Sequence, residues 1–353
     1  MENTICDPKP LGPKLSSTRI SPNPLPPLKT VAPIPRPNLI SISLEILWGC
    51  NLKCTLCNVY KLKKYNMPYE KIEAILNKVP TLQRFVVIGQ GEPLLHPEWF
   101  KIMALVRSLN LQLHIVTNGM VLNEEYIRAF PKNAIVQFSI DSFRPEIYKA
   151  MRPGGDVGKV LRNLQLLATL RSDIRIGIQS IITKKTYPYI DEIAKFCEEF
   201  QFSFNALYPG TGTVETFNEH YPEQQHPRKI ITSPRVCQEP FSSLMIGING
   251  EIYPCCFMYG SLNKEKPLEH HIEYMADGKL DRVCVKQYKL GNIFEDDVYK
   301  IWNEPRICGA RNAIYNSLNA SKSYTELKKD VDFEDETGYD YCKICALRWG
   351  KIC

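Results

Sequence analysis

The 353-residue sequence contains no run of about 18 apolar residues, so no membrane span is expected. Residues 1–10 lack the apolar stretch of a secretory signal. Charge of one sign is also scarce. The formal net charge is +6, from 44 basic and 38 acidic residues. That is too mild for the electrostatic footprint of a nucleic-acid binder, so neither nucleic acid nor membrane is expected as a partner. No internal repeat is visible. Cysteine, at 13 residues, is far below the density of a disulfide-stapled scaffold, and an odd number cannot pair off completely. Without an export signal the chain is expected in the cytoplasm. In that reducing compartment grouped cysteines hold metal or do chemistry more often than they form disulfides.

What is present is enough for a real core. Hydrophobic residues make up 44% of the chain, which excludes global disorder. Residues 1–38 hold 10 of the 26 prolines and can make neither a helix nor a central strand, so they read as a proline-rich arm. From Leu39 the pattern changes. Strand signals at 40–47, 84–88, 112–116, 134–140, 174–181 and 202–208 alternate with helix signals at 69–78, 97–109, 123–130, 157–171 and 187–200. This is an α/β pattern. Six units are too few for a closed eight-stranded barrel, so residues 39–208 are expected to form a partial (β/α)6 barrel. In such a fold functional residues gather at the C-terminal ends of the strands. Residues 209–235 are a polar, turn-rich linker. Gly210 and Gly212 there resemble a phosphate loop only faintly, since the Lys-Ser/Thr pair is missing. Residues 236–353 form a C-terminal cysteine-rich domain with eight cysteines, a hairpin signal over 245–253 turning at Asn249 and Gly250, and a helical stretch over 298–318.

Cys50, Cys54 and Cys57 lie in one loop directly after the first strand, spaced C-x3-C-x2-C. A structural zinc site wants four ligands, commonly two C-x2-C pairs, and no fourth Cys or His is adjacent. Three thiolates can hold three irons of a [4Fe–4S] cube and leave the fourth open to a small chelating ligand.

The loop resembles the signature of the radical S-adenosylmethionine (SAM) enzymes. The resemblance implies that Cys50, Cys54 and Cys57 bind a [4Fe–4S] cluster whose open iron is chelated by SAM. The cluster then cleaves SAM reductively to a 5′-deoxyadenosyl radical, which abstracts hydrogen from an unactivated carbon. Further matches follow in order. Gly91, Glu92 and Pro93 match the motif that binds the SAM amino group, with Gln90 where the family has glycine. Thr117 and Asn118 end the third strand; Ser139 and Asp141 end the fourth; Arg152 matches an arginine that neighbours SAM. These eight residues are the cofactor-binding candidates. For Asn118 and Asp141 a helix-capping role stands beside ligand contact. For Arg152 the alternative is a surface ion pair.

The C-terminal region resembles the SPASM extension found on many such enzymes. Cys237, Gly250, Cys255, the stretch 291–302, and the closing pair Cys342 and Cys345 carry the likeness. It implies that Cys237, Cys255, Cys342 and Cys345 bind one auxiliary [4Fe–4S] cluster, with zinc on the same thiolates as the alternative. Of the remaining cysteines, Cys197 fits a buried wall position. Cys256, Cys284 and Cys308 are candidate hydrogen-donor thiols. The charged insert between Cys255 and Gly291, with His270 and His271, is either a surface insertion or a substrate-contacting lid.

Relatives with this extension modify ribosomally made peptides by cross-linking, epimerisation, oxidation or excision. The alternative is dehydrogenation or epimerisation of a small molecule such as an amino sugar. The expected partners are a peptide substrate, a separate leader-peptide-binding protein, since residues 1–38 hold no peptide-recognition domain, and a reductant such as flavodoxin or ferredoxin.

Overall fold

The computed structural model describes residues 37–57, 59–208, 220, 222, 237–256, 269–276, 279–286 and 289–319. Residues 1–36 of the arm, most of the linker, and Cys342, Cys345 and Cys353 lie outside the described residues.

Six parallel strands make the centre of the sheet. They are β1 (Ser41–Leu44), β2 (Arg84–Val87), β3 (Gln112–Thr117), β4 (Ile135–Ser139), β5 (Arg175–Ile181) and β6 (Ser203–Leu207). Each pairs in parallel with the next in chain order. The crossovers carry α1 (Tyr69–Asn77), α2 (Trp99–Ser108), α3 (Glu124–Ala129), α4 (Pro145–Met151), α5 (Val157–Leu170) and α6 (Ile190–Phe200). Side-chain caps start two of them: Asn123 Oδ1 accepts from the Tyr126 N–H, and Asp156 Oδ1 from the Lys159 N–H. Only α4 was missed in the sequence. Its seven residues are short, but Pro145 at its first position was a start signal.

Ile42, Phe85, Leu113, Val136, Phe138 and Ile178 are fully buried on one sheet face, under the helices. Each such side chain stabilises by about 1.5–3 kcal/mol relative to exposure. The other face carries half-buried His114, Gln137, Ser139, Gln179 and Asn205. A parallel sheet covered on both faces reads as continuous apolar runs. The alternation here instead marks an inner face built for polar contents.

The C-terminal region does not build a separate core sheet. After α7 (Glu239–Ser242), β7 (Ser243–Ile246) pairs in parallel with the free edge of β1. Strand β8 (Glu251–Tyr253) turns back antiparallel on β7, as the hairpin signal foretold. Gly250 has φ +90, and a Cβ there would lie 2.6 Å from the Phe294 ring, so both backbone and space demand glycine. The insert forms a second ribbon, β9 (Glu269–Ala276) with β10 (Lys279–Lys286). Strand β11 (Gly291–Asn292) pairs with β8 and completes a nine-stranded sheet ordered β11-β8-β7-β1-β2-β3-β4-β5-β6. The sheet is open. The expected 298–318 helix is two, α8 (Val298–Trp302) and α9 (Pro305–Asn319). Pro305, which lacks an N–H, begins the second.

Candidate functional site

Three loops at the C-terminal ends of β1, β2 and β3 are stitched together, the first two by backbone and the third by the Glu92 side chain. The cysteine loop leaves β1, and Gly49 and Gly91 form a parallel bridge between it and the loop after β2. The Gly49 N–H donates to Gln90 O (3.4 Å), and the Glu92 N–H to Gly49 O (2.9 Å). A Cβ on Gly91 would stand 2.8 Å from Gly49 O and 3.1 Å from Leu47 O. Glycine at 91 is therefore required by close approach of two main chains. Gly49 itself has φ +148. On its other side the cysteine loop is bolted to the end of α4. Lys53 N donates to Pro153 O (3.1 Å), Thr55 N to Met151 O (3.0 Å), and Thr55 Oγ1 to Ala150 O (2.8 Å).

Cys50, Cys54 and Cys57 are half-buried thiols. Burial pushes the Cys50 thiol up to about 11, and Glu92, Cys54 and Cys57 add to the rise while the Leu52 N–H opposes it. Cys54 is raised too, first by burial, with Cys57 contributing and Arg152 opposing. Cys50 and Cys54 thus stand where a bare thiolate is disfavoured, with Cys57 close enough to act on both. Three N–H groups approach the sulfurs: Leu52 N (3.4 Å) and Asn118 Nδ2 (3.6 Å) at Cys50, and Arg152 Nη1 (3.9 Å) at Cys54. Among the described residues no three His, Cys, Asp or Glu side chains converge on one metal ion. A cube differs from a single ion here, since each thiolate takes a different iron and the three need only face one volume. The donor set fits such a cluster: half-buried thiols, costly as free anions, with N–H donors directed at sulfur.

Glu92 is 2% exposed, and burial raises its carboxyl to about 7, against the Asn118, Thr117 and Leu94 hydrogen bonds. Its Oε1 accepts from Thr117 Oγ1 (2.7 Å) and Leu94 N (3.3 Å), and its Oε2 from Asn118 N (2.7 Å). One acceptor position on Oε2 remains for a cationic ligand. The structure therefore brings Gly91, Glu92, Pro93, Thr117 and Asn118 together with Cys50.

Asp141 and Arg152 meet on the far side of the cysteine loop. Asp141 Oδ2 accepts from Arg152 Nε (2.7 Å) and Oδ1 from Nη2 (3.2 Å), while Oδ1 also takes the Ile181 N–H (2.8 Å). Against burial, which lowers it, Asp141 raises the Arg152 pKa and keeps the guanidinium charged. Neither Asn118 nor Asp141 caps a helix: Asn118 Oδ1 accepts from Met120 N in a turn, and α4 has no side-chain cap. The ion pair of Arg152 is real, but buried rather than superficial. Ser139 ends β4 on the polar inner face.

Cys237 and Cys255 are half-buried at either end of the α7–β8 segment, and Cys256 is exposed. Cys308 lies on α9, with its Sγ 3.7 Å from Arg311 Nη1. Cys284 lies on β10, opposite His271 in the register. Cys197 is buried on α6, as expected for a wall residue.

An open parallel sheet with a thiol triplet and a buried carboxylate at its mouth is the frame of enzymes that run cofactor-borne radical chemistry. The radical SAM superfamily profile matches residues 44–197, and the SPASM iron–sulfur cluster-binding domain profile matches 237–346. The chain belongs to the radical SAM superfamily and carries a SPASM domain; it is an enzyme that uses SAM and iron–sulfur clusters. It is 25% identical over 333 residues to the tungsten-containing aldehyde ferredoxin oxidoreductase cofactor-modifying protein of Pyrococcus furiosus, covering 84% of this chain and 90% of that one. It is 24% identical over 341 residues to a cysteine-type anaerobic sulfatase-maturating enzyme of Clostridium novyi, covering 85% of each. In fold it is similar to SuiB of Streptococcus suis bound to SAM, with TM-score 0.58 at 16% identity, covering 85% of this chain and 77% of that one. No helix among the described residues is long and apolar enough to cross a membrane.

Proposed function

We propose that this enzyme modifies a ribosomally made peptide in the cytoplasm by SAM-dependent hydrogen abstraction. The observation that carries the reading is the stitched triplet of loops. It places Cys50, Cys54 and Cys57 beside Glu92 and Arg152 at the mouth of a polar-faced sheet. Cys50, Cys54 and Cys57 would hold a [4Fe–4S] cluster, and Cys237, Cys255, Cys342 and Cys345 one auxiliary cluster. When bound, the first cluster supplies the electron that splits SAM and so makes hydrogen abstraction possible.

The chain's own residues bind, orient and exclude water. Glu92 Oε2 would accept from the SAM ammonium. The Arg152 guanidinium, held charged by Asp141, offsets negative charge beside Cys54. Gly91, Pro93 and Thr117 set the floor on which Glu92 stands, Asn118 donates toward Cys50, and Ser139, at the end of β4 on the inner face, would contact SAM. The hydrogen bonds of Lys53 and Thr55 to residues 150–153 hold the cysteine loop against the end of α4.

The peptide reading draws support from relatives named for maturation: the sulfatase-maturating enzyme, and a mycofactocin maturase that is 23% identical over 191 residues. A small-molecule substrate such as an amino sugar is not favoured. A flavodoxin- or ferredoxin-like reductant and a separate leader-binding protein complete the proposed system. The test is anaerobic incubation of the reconstituted enzyme with SAM and dithionite. 5′-Deoxyadenosine is expected, and none with intact clusters overturns the reading. A short precursor peptide encoded beside the gene supports the substrate class, and sugar-biosynthesis genes there argue against it.

A further inference from the structure

One buried acid is unused by the function just described. Glu45 follows β1 and is 0% exposed, an unusual position for a carboxylate. Its Oε1 accepts from the Gln90 N–H at 2.7 Å. The same side chain fills the space beside Gly89. A Cβ on Gly89 would lie 2.6 Å from Glu45 Cγ and 2.8 Å from Oε1, and Gly89 has φ +127. Glu45 thus shapes the turn on two counts, by binding one amide and by leaving room only for glycine at its neighbour. That turn delivers Gly91 to its bridge with Gly49 and Glu92 to Thr117 and Asn118.

The main chain of Glu45 is held from the opposite side. Its N–H donates to Ile246 O at the end of β7 (3.0 Å). Glu45 therefore stands where the 89–93 loop and the C-terminal hairpin meet.

We propose that Glu45 is a positioning residue for SAM binding, its buried carboxylate fixing the Gln90 amide and so the placement of Gly91 and Glu92. It rests on the reading of the 89–93 loop as the SAM loop. Any residue but proline supplies that N–H, so the bond is compatible with Gln90 standing where the family has glycine.

The experiment compares Glu45→Gln and Glu45→Leu. A carboxamide oxygen keeps the acceptor; leucine removes it at similar size. SAM binding to the reconstituted protein is measured by anaerobic equilibrium ultrafiltration with radiolabelled SAM, alongside iron per chain. Amide hydrogen exchange at Gln90 is followed in the iron-free protein. Glu45→Leu is expected to weaken SAM binding tenfold or more and to speed Gln90 exchange by at least tenfold, with iron content retained. Glu45→Gln is expected to stay within threefold of the parent in both. If Glu45→Leu fails to fold, Gly89→Ala supplies the second arm and is expected to weaken SAM binding comparably. Parental SAM affinity in Glu45→Leu or Gly89→Ala overturns the proposal. So does an equal loss in Glu45→Gln, which would assign the effect to charge. A parent protein that binds no SAM sinks the SAM-site reading instead, and the exchange measurement then still reports on the Glu45–Gln90 bond alone.

Discussion

Removing Asp141 tests whether the site is braced by a buried charge pair. Asp141 is 1% exposed, and its partner's side chain is 13% exposed. Asp141→Ala strips two charge-assisted bonds from Arg152 and the acceptor from the Ile181 N–H. Most of the cost comes from what is left behind, a guanidinium in low dielectric with no counter-charge. Breaking such a pair costs about 3–5 kcal/mol, or a factor of about 10²–10⁴ in the folding constant. The assay is urea unfolding of the iron-free protein, followed by tryptophan fluorescence. Asp141→Ala is expected to lower the midpoint sharply. Arg152→Met added to it removes the stranded charge, so the double variant is expected to recover at least about 1 kcal/mol over Asp141→Ala alone. A double variant no more stable than Asp141→Ala, or a single variant unfolding like the parent, would refute the reasoning.

Three further outcomes follow from the geometry. Glu92 has a folded pKa of about 7, raised from 4.5, so the stability tied to its neutral form is fully present below about 4.5 and lost as pH rises through 7. Relative to Glu92→Gln, the iron-free parent is expected to lose on the order of 3 kcal/mol across that window, and a pH-independent difference would contradict it. Gly91→Ala forces a Cβ to 2.8 Å from Gly49 O, so iron per chain and SAM affinity should fall together; retention of both would show that the bridge can yield. Cys50→Ala and Cys237→Ala are each expected to remove about four of about eight irons after reconstitution, and zinc in place of the second set would sink the auxiliary-cluster assignment.

The parts legible in the sequence were those written in local patterns. Alternating strands, amphipathic helices, the Asn249-Gly250 turn and the spacing of Cys50, Cys54 and Cys57 are all short-range signals. The parts that were not legible join segments distant in the chain. Nothing near Thr55 says that it will bond Ala150, and nothing near Asp141 says that Ile181 will share it. The short helix α4 hid its role for the same reason, since it joins the site only once the cysteine loop lies against its end. Glu45 read as one polar residue in an alternating strand, and only the fold shows it buried under the 89–93 loop.

The union of the C-terminal hairpin with β1 has an electrical consequence. Cys50 lies six residues beyond the end of β1, and Cys255 lies two beyond the end of β8. One strand, β7, separates β1 from β8, and β8 runs against both, so the two chains leave in opposite strand directions from roots two ladder spacings apart, about 10 Å. On the proposed assignment, the span an electron crosses between the two clusters is anchored by main-chain hydrogen bonds rather than by a yielding interface between lobes.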